Sequence, residues 1–169
     1  MIRITRPLRR AALALTPALL LTAPLPLAAQ TPVSRETTDN IVPVSAEDAA
    51  MNAAIAEAQR TLPEFLKVIA APPPGVRDIS FKYPLDGWEH IWVTNVSRRG
   101  NVLVGELDNE PVAKGYRLGQ RVEVPLTQVS DWAYRGPDGV MRGHRTTRVL
   151  LPQLPPEQAA QIRQWMGWE

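Results

Sequence analysis

Two short runs hold the residues best suited to chemistry, Glu89-His90 and Asp131-Trp132. A carboxylate beside an imidazole suggests general acid–base work, and His144 adds a second imidazole further on. Glu89-His90 falls within a run dense in β-branched and aromatic residues, Glu89-His90-Ile91-Trp92-Val93-Thr94-Asn95-Val96, which predicts a strand. Neighbours on a strand point to opposite faces, so Glu89 would share a face with Ile91 and Val93, and His90 with Trp92 and Thr94. The two therefore cannot act as a side-by-side dyad. Each needs a partner from elsewhere: a basic residue for Glu89, and Asp131 or His144 for His90. A structural role in fixing a turn is the plainer expectation for both.

Asp131-Trp132, followed by Tyr134, has two readings. It could present an aromatic platform beside an acid, suited to a peptide, a glycan or a cationic group. The plainer expectation is a capped turn in which Asp131 accepts backbone hydrogen bonds and Trp132 plugs the end of the barrel. Trp88 and Trp92 carry the same ambiguity. A metal site is thin, because two histidines without a metal-binding spacing would need carboxylates to complete it. Ser130 lacks the flanking glycines of a nucleophile elbow. No metal and no cofactor are expected.

The elements that must hold these residues follow an export signal. Arg3, Arg6, Arg9 and Arg10 precede an apolar stretch from Ala11 to Leu27, which closes with Ala28-Ala29-Gln30. Residues 1–29 thus read as a signal peptide. Prolines at 17, 24 and 26 argue against an intact membrane helix, so no membrane span is expected after cleavage. The expected compartment is the periplasm, or full secretion. The chain has 19 Lys and Arg against 17 Asp and Glu, and four of the arginines lie in the signal. The mature chain is then slightly acidic, which removes the nucleic-acid reading that a basic total would invite. Cysteine is absent, which excludes disulfides, thiolate metal sites and a cysteine nucleophile.

Residues 30–44 read as a flexible arm, and 45–169 as one domain of α+β class. Ser45 and Asp48 would open an alanine-rich helix with Met51, Ala54, Ile55, Ala58 and Leu62 on one stripe. Pro63 would break it, and Phe65 to Ile69 would form a second short helix. Four to six short strands follow in a curled antiparallel sheet that could close as a small SH3-like barrel. Within this stretch Asp86-Gly87 marks a hairpin, Leu126, Val129 and Trp132 a helical turn, and residues 146–150 a last strand. A C-terminal helix from Pro155 would pack on the sheet through Trp165 and stop at Gly167.

Three motifs resemble a known family. They are Glu89-His90-Ile91-Trp92-Val93; Gly105-Glu106-Leu107-Asp108-Asn109-Glu110-Pro111; and Val129-Ser130-Asp131-Trp132-Ala133-Tyr134 with Gly143 following. Together with Thr61-Leu62 and Phe65 they are similar to the YegJ-like bacterial family, a domain of unknown function, over about residues 46–150. The resemblance implies a common fold and no activity. From the residues, two functions stand side by side. One is a non-catalytic binding domain for a protein, peptide or cell-wall ligand, with Trp88, Glu89, His90, Trp92, Asn109, Asp131 and Trp132 as candidate site residues. The other is a hydrolase or metal-assisted enzyme using Glu89, His90 and Asp131.

Overall fold

A computed structural model describes residues 49–168 of the chain. The expected signal peptide, the expected arm and the expected helix start at Ser45 and Asp48 lie outside the described residues. Helix α1 spans Ala49–Ala70. The six strands are β1 (Arg77–Leu85), β2 (Glu89–Arg99), β3 (Val102–Leu107), β4 (Arg121–Pro125), β5 (Asp131–Arg135) and β6 (Met141–Gly143). Two further helices close the domain, α2 (Arg145–Leu150) and α3 (Pro156–Met166).

Pro63 does not break α1. The helix runs through it as one element, with Met51, Ala58, Thr61, Leu62 and Phe65 buried on a single stripe. Pro63 stands on the exposed side, and the stripe continues past it on both sides. Burial of Leu62 and Phe65 offsets the roughly 3 kcal/mol that an interior proline costs.

The sheet is antiparallel, in the order β4-β3-β2-β1-β5-β6. It stays open, because β4 and β6 are edges that do not pair, so no barrel forms. The Asp86-Gly87 signal gives the β1–β2 turn. Both residues have positive φ, 49° and 81°, and the Trp88 amide donates to the Leu85 carbonyl at 3.1 Å. That is the mirror-image turn whose twist suits a hairpin.

The strands present two unlike faces. Phe81, Tyr83, Leu85, Ile91, Val93, Leu103, Leu107, Val124 and Trp132 form the main core with Ala58, Leu62 and Phe65 of α1. On the opposite face, Trp92, Ala133 and Met141 meet Met166, with Ile162 and Trp168 packed against them. Helix α3 thus docks through Met166 and Ile162, while Trp165 is largely exposed and lies over the Arg135 guanidinium instead. Gly167 does end α3, in the left-handed conformation at φ 70°. Its amide and that of Trp168 return to the Gln164 and Arg163 carbonyls.

Two other expectations change. Residues 146–150 are helical, because a tertiary contact from Asp131 holds the first turn of α2 where the β-branched composition favours a strand. The expected helical turn near Leu126 is a single 3-10 turn over Leu126–Gln128. It ends before Trp132, which sits inside β5.

Candidate functional site

Glu89 begins β2 and is buried. Its Oε1 accepts the Val112 amide at 2.9 Å and its Oε2 the Ala113 amide at 2.8 Å. Among the described residues no basic side chain pairs with it. The carboxylate instead binds the 108–120 loop to the start of β2, and three further bonds complete the clasp. The Asp108 amide donates to the Trp92 carbonyl, the Gly119 amide to the Leu107 carbonyl, and the Tyr116 hydroxyl to Asp86 Oδ1 at 2.8 Å. Asn109 lies half-buried in that loop. Gly105 belongs to the same construction, since a Cβ there would collide with the Thr94 carbonyl oxygen and with Val93 Cγ1.

Asp131 is wholly buried at the start of β5. Its Oδ1 accepts the Trp132 amide at 2.8 Å, and its Oδ2 accepts both the amide and the hydroxyl of Thr146, at 2.8 and 2.7 Å. It is a cap supplied from another strand to the first turn of α2. Trp132 is the plug and not the platform. It stacks on Phe65 with ring centroids 5.3 Å apart, and its indole N–H donates to the Ala58 carbonyl at 3.1 Å. A Cβ at Gly143 would strike the Trp132 carbonyl oxygen. The motif thus fixes how β5, β6 and α1 meet.

His90 is different. It is exposed, and its Nδ1 lies 2.8 Å from the buried Ser130 hydroxyl. Neither Asp131 nor His144 is its hydrogen-bond partner. Although the residue reaches solvent, the ring edge at Ser130 lies within the protein. That desolvation, with the nearby Lys82 charge adding to it, holds its pKa below the ordinary histidine value. Both influences favour the neutral ring.

Behind His90 the sheet face opposite α1 carries further polar groups that strand periodicity alone does not reveal. Lys82 of β1 is buried, and its Nζ lies 4.7 Å from the centroid of the Trp92 ring. His144 leans on the same ring, with centroids 4.5 Å apart. Its backbone is in the left-handed region at φ 51°, directly after Gly143 at φ 76°. Burial, with the charges of Lys82, Arg148 and Arg135, pushes its pKa down to about 3. Its Nδ1 lies 3.1 Å from the Thr147 hydroxyl, and Arg148 lies over Trp168 at 3.5 Å.

The seven candidate residues therefore divide. Glu89, Asp131 and Trp132 build the fold, and Trp92 lines the face beneath α3. Trp88 projects from the β1–β2 turn with 54% of its surface exposed, beside the loop that Glu89 holds, and Val112 of that loop is also exposed. Trp132 and Trp92 lie on opposite sheet faces and cannot line one groove. Away from all of them, Ile69, Ala70, Val96, Ser97, Arg98 and Gly100 border an open depression of about 460 Å³. Among the described residues no group of three or more His, Asp or Glu could hold a metal ion. No helix among them is long and apolar enough to cross a membrane.

Lys82 escaped the sequence reading because it occupies a polar position of an alternating strand, where solvent is the usual neighbour. Its one signal is the pairing of β1 with β2, which sets it opposite Trp92.

Neither a curated protein nor a solved structure matches the chain. A family model matches residues 48–169, running through α3 and so past residue 150, where the motif resemblance ends. The match spans α1, the whole sheet and α3, and on it the chain belongs to the family described as an uncharacterized protein conserved in bacteria (DUF2314).

Proposed function

We propose that the chain is an exported, non-catalytic binding domain whose ligand surface is the end of the sheet around the β1–β2 turn. Export rests on the arginine-rich start and the apolar stretch that follows it. The binding reading rests on one observation above all: an exposed Trp88 stands beside the solvent-reaching His90 on a turn whose backbone is locked. A rigid aromatic anchor loses little entropy on binding, which suits recognition of a protein, peptide or cell-wall ligand. The two motif carboxylates hold backbone amides, and among the described residues no acid orients His90, whose ring meets Ser130 instead. The motifs shared with the YegJ-like proteins support placing the chain with that group.

Because the chain has no cysteine, Val112→Cys, at an exposed position of the loop that Glu89 holds, creates a unique attachment point for a photoreactive cross-linker and leaves Trp88 in place. Illumination in envelope extract is expected to give a discrete adduct from position 112 and none from Arg98→Cys at the far hairpin. An adduct from position 98 alone would move the surface to the depression beside Val96.

One observation favours the enzyme reading, the Ser130–His90 contact. A hydrolase would require Ser130 to react with a fluorophosphonate probe, and Ser130→Ala to abolish the label. The binding reading expects no label, since Ser130 is buried and no carboxylate orients the histidine.

A further inference from the structure

Lys82 is the residue whose position the fold leaves unexplained. It pairs across β1 with Trp92 of β2 and with Asp131 of β5, and only 5% of its surface is exposed. Among the described residues no carboxylate makes an ion pair with it. Its neighbour Asp131 directs both oxygens at the Trp132 amide and at Thr146. An ammonium drawn this far from water is costly unless an anion meets it. The ring face of Trp92 offsets part of that cost, and the ammonium is not wholly enclosed, which leaves an anion a way to reach it.

The groups around Lys82 share one property. His90 and His144 both feel its charge, and His144 also feels Arg148 and Arg135. Asp131 acts electrostatically on Arg148, but its oxygens are already occupied by three donors. The Ser130 hydroxyl takes up His90 Nδ1, which leaves Nε2 as the ring nitrogen open to a ligand. The face thus offers a cation and, beside it, an imidazole nitrogen.

We propose that this face is an oxyanion site, in which Lys82 meets the charge of a carboxylate or phosphate group and His90 Nε2–H donates beside it. The proposal rests on the reading of this sheet end as a binding surface. It adds the chemistry of the ligand, an anionic group carried on whatever Trp88 contacts.

The test titrates residues 30–169 with inorganic phosphate and, separately, with N-acetylglycine, at constant ionic strength maintained with chloride. Tryptophan fluorescence reads the binding, with Trp88 and Trp92 the nearest to the site of the chain's five tryptophans. A saturable change is expected with one of the two anions, weakened about tenfold or more in Lys82→Met, as for loss of a charged hydrogen bond. Lys82→Arg retains the charge and is expected to stay within a few-fold of wild type. His90→Ala, at an exposed position that leaves the fold intact, is expected to weaken binding several-fold. Saturation by phosphate alone assigns a phosphorylated ligand, and saturation by N-acetylglycine alone assigns a chain-terminal carboxylate. A response that never saturates, or that is the same in Lys82→Met, overturns the oxyanion site. If an adduct forms from position 112 while neither anion saturates, the binding surface stands and the anion assignment falls. Anion saturation without an adduct from position 112 gives the reverse result.

Discussion

Phe81 and Lys82 are adjacent on β1 and both are buried, yet they lie in different surroundings. Phe81 faces α1 among Tyr83, Val93 and Trp132, in a core made of apolar side chains. Lys82 faces the other way, toward Trp92, His90 and His144. The first face needs nothing beyond tight packing to explain it. The second holds a cation that no carboxylate pairs with among the described residues, one histidine kept neutral by burial and another that reaches solvent. Stability belongs chiefly to the α1 face, and the chemistry that could recognise a ligand belongs to the other.

That contrast can be broken most forcefully on the α1 side. Phe65 is fully buried and stacks on Trp132, so Phe65→Ala is expected to cost about 3–5 kcal/mol in urea unfolding. Asp131→Ala comes next. It strands the Thr146 amide and hydroxyl within the protein and is expected to cost about 1–3 kcal/mol, with faster amide exchange in α2. A cost near zero would mean that Asp131 is not the cap that makes residues 145–150 helical.

The opposite face should respond to pH. The folded pKa of His144, about 3, lies below its ordinary value of 6.5, so the unfolded chain binds this proton more readily. The stability that the neutral ring contributes is complete above pH 6.5 and is lost as pH falls toward 3. In that window one such group gives a slope of about 1.4 kcal/mol per pH unit. His144→Asn, which tolerates the left-handed backbone, is expected to remove about one proton's share of that slope. Equal slopes in the two proteins would contradict the burial of the neutral ring.

The smallest changes in stability sharpen the contrast further. Lys82→Met replaces an ammonium without an ion pair by an apolar chain, and is expected to shift stability by about 1 kcal/mol or less, or to raise it. Trp88→Ala, at an exposed turn, is expected to stay within about 0.5 kcal/mol. Both substitutions should weaken binding while leaving the melting temperature nearly unchanged. No α1-face substitution should do so.

The sequence revealed the sheet better than the site. Alternation in Ile79 to Tyr83, the Asp86-Gly87 turn and the dense strand from Glu89 all stand where periodicity and turn chemistry put them. The errors arise where distant contacts decide the outcome. Pro63 is carried by the stripe on either side of it, and residues 145–150 are helical because Asp131 reaches them from β5. The opposite faces of Glu89 and His90 followed from strand geometry, but their partners did not. A backbone amide leaves no trace in composition, so Glu89's hold on the 108–120 loop was invisible. Lys82 was hidden for a related reason, since only the paired strands bring Trp92, His144 and Lys82 together.

The most direct measurement is a residue-by-residue amide shift map of residues 30–169 titrated with inorganic phosphate or N-acetylglycine at fixed ionic strength. Perturbations confined to Lys82, His90, Trp92, Ser130 and His144, with Phe65, Phe81 and Val93 unmoved, are expected if the two faces divide stability from recognition. Shifts centred on the α1 face, or spread evenly over both, would contradict that division.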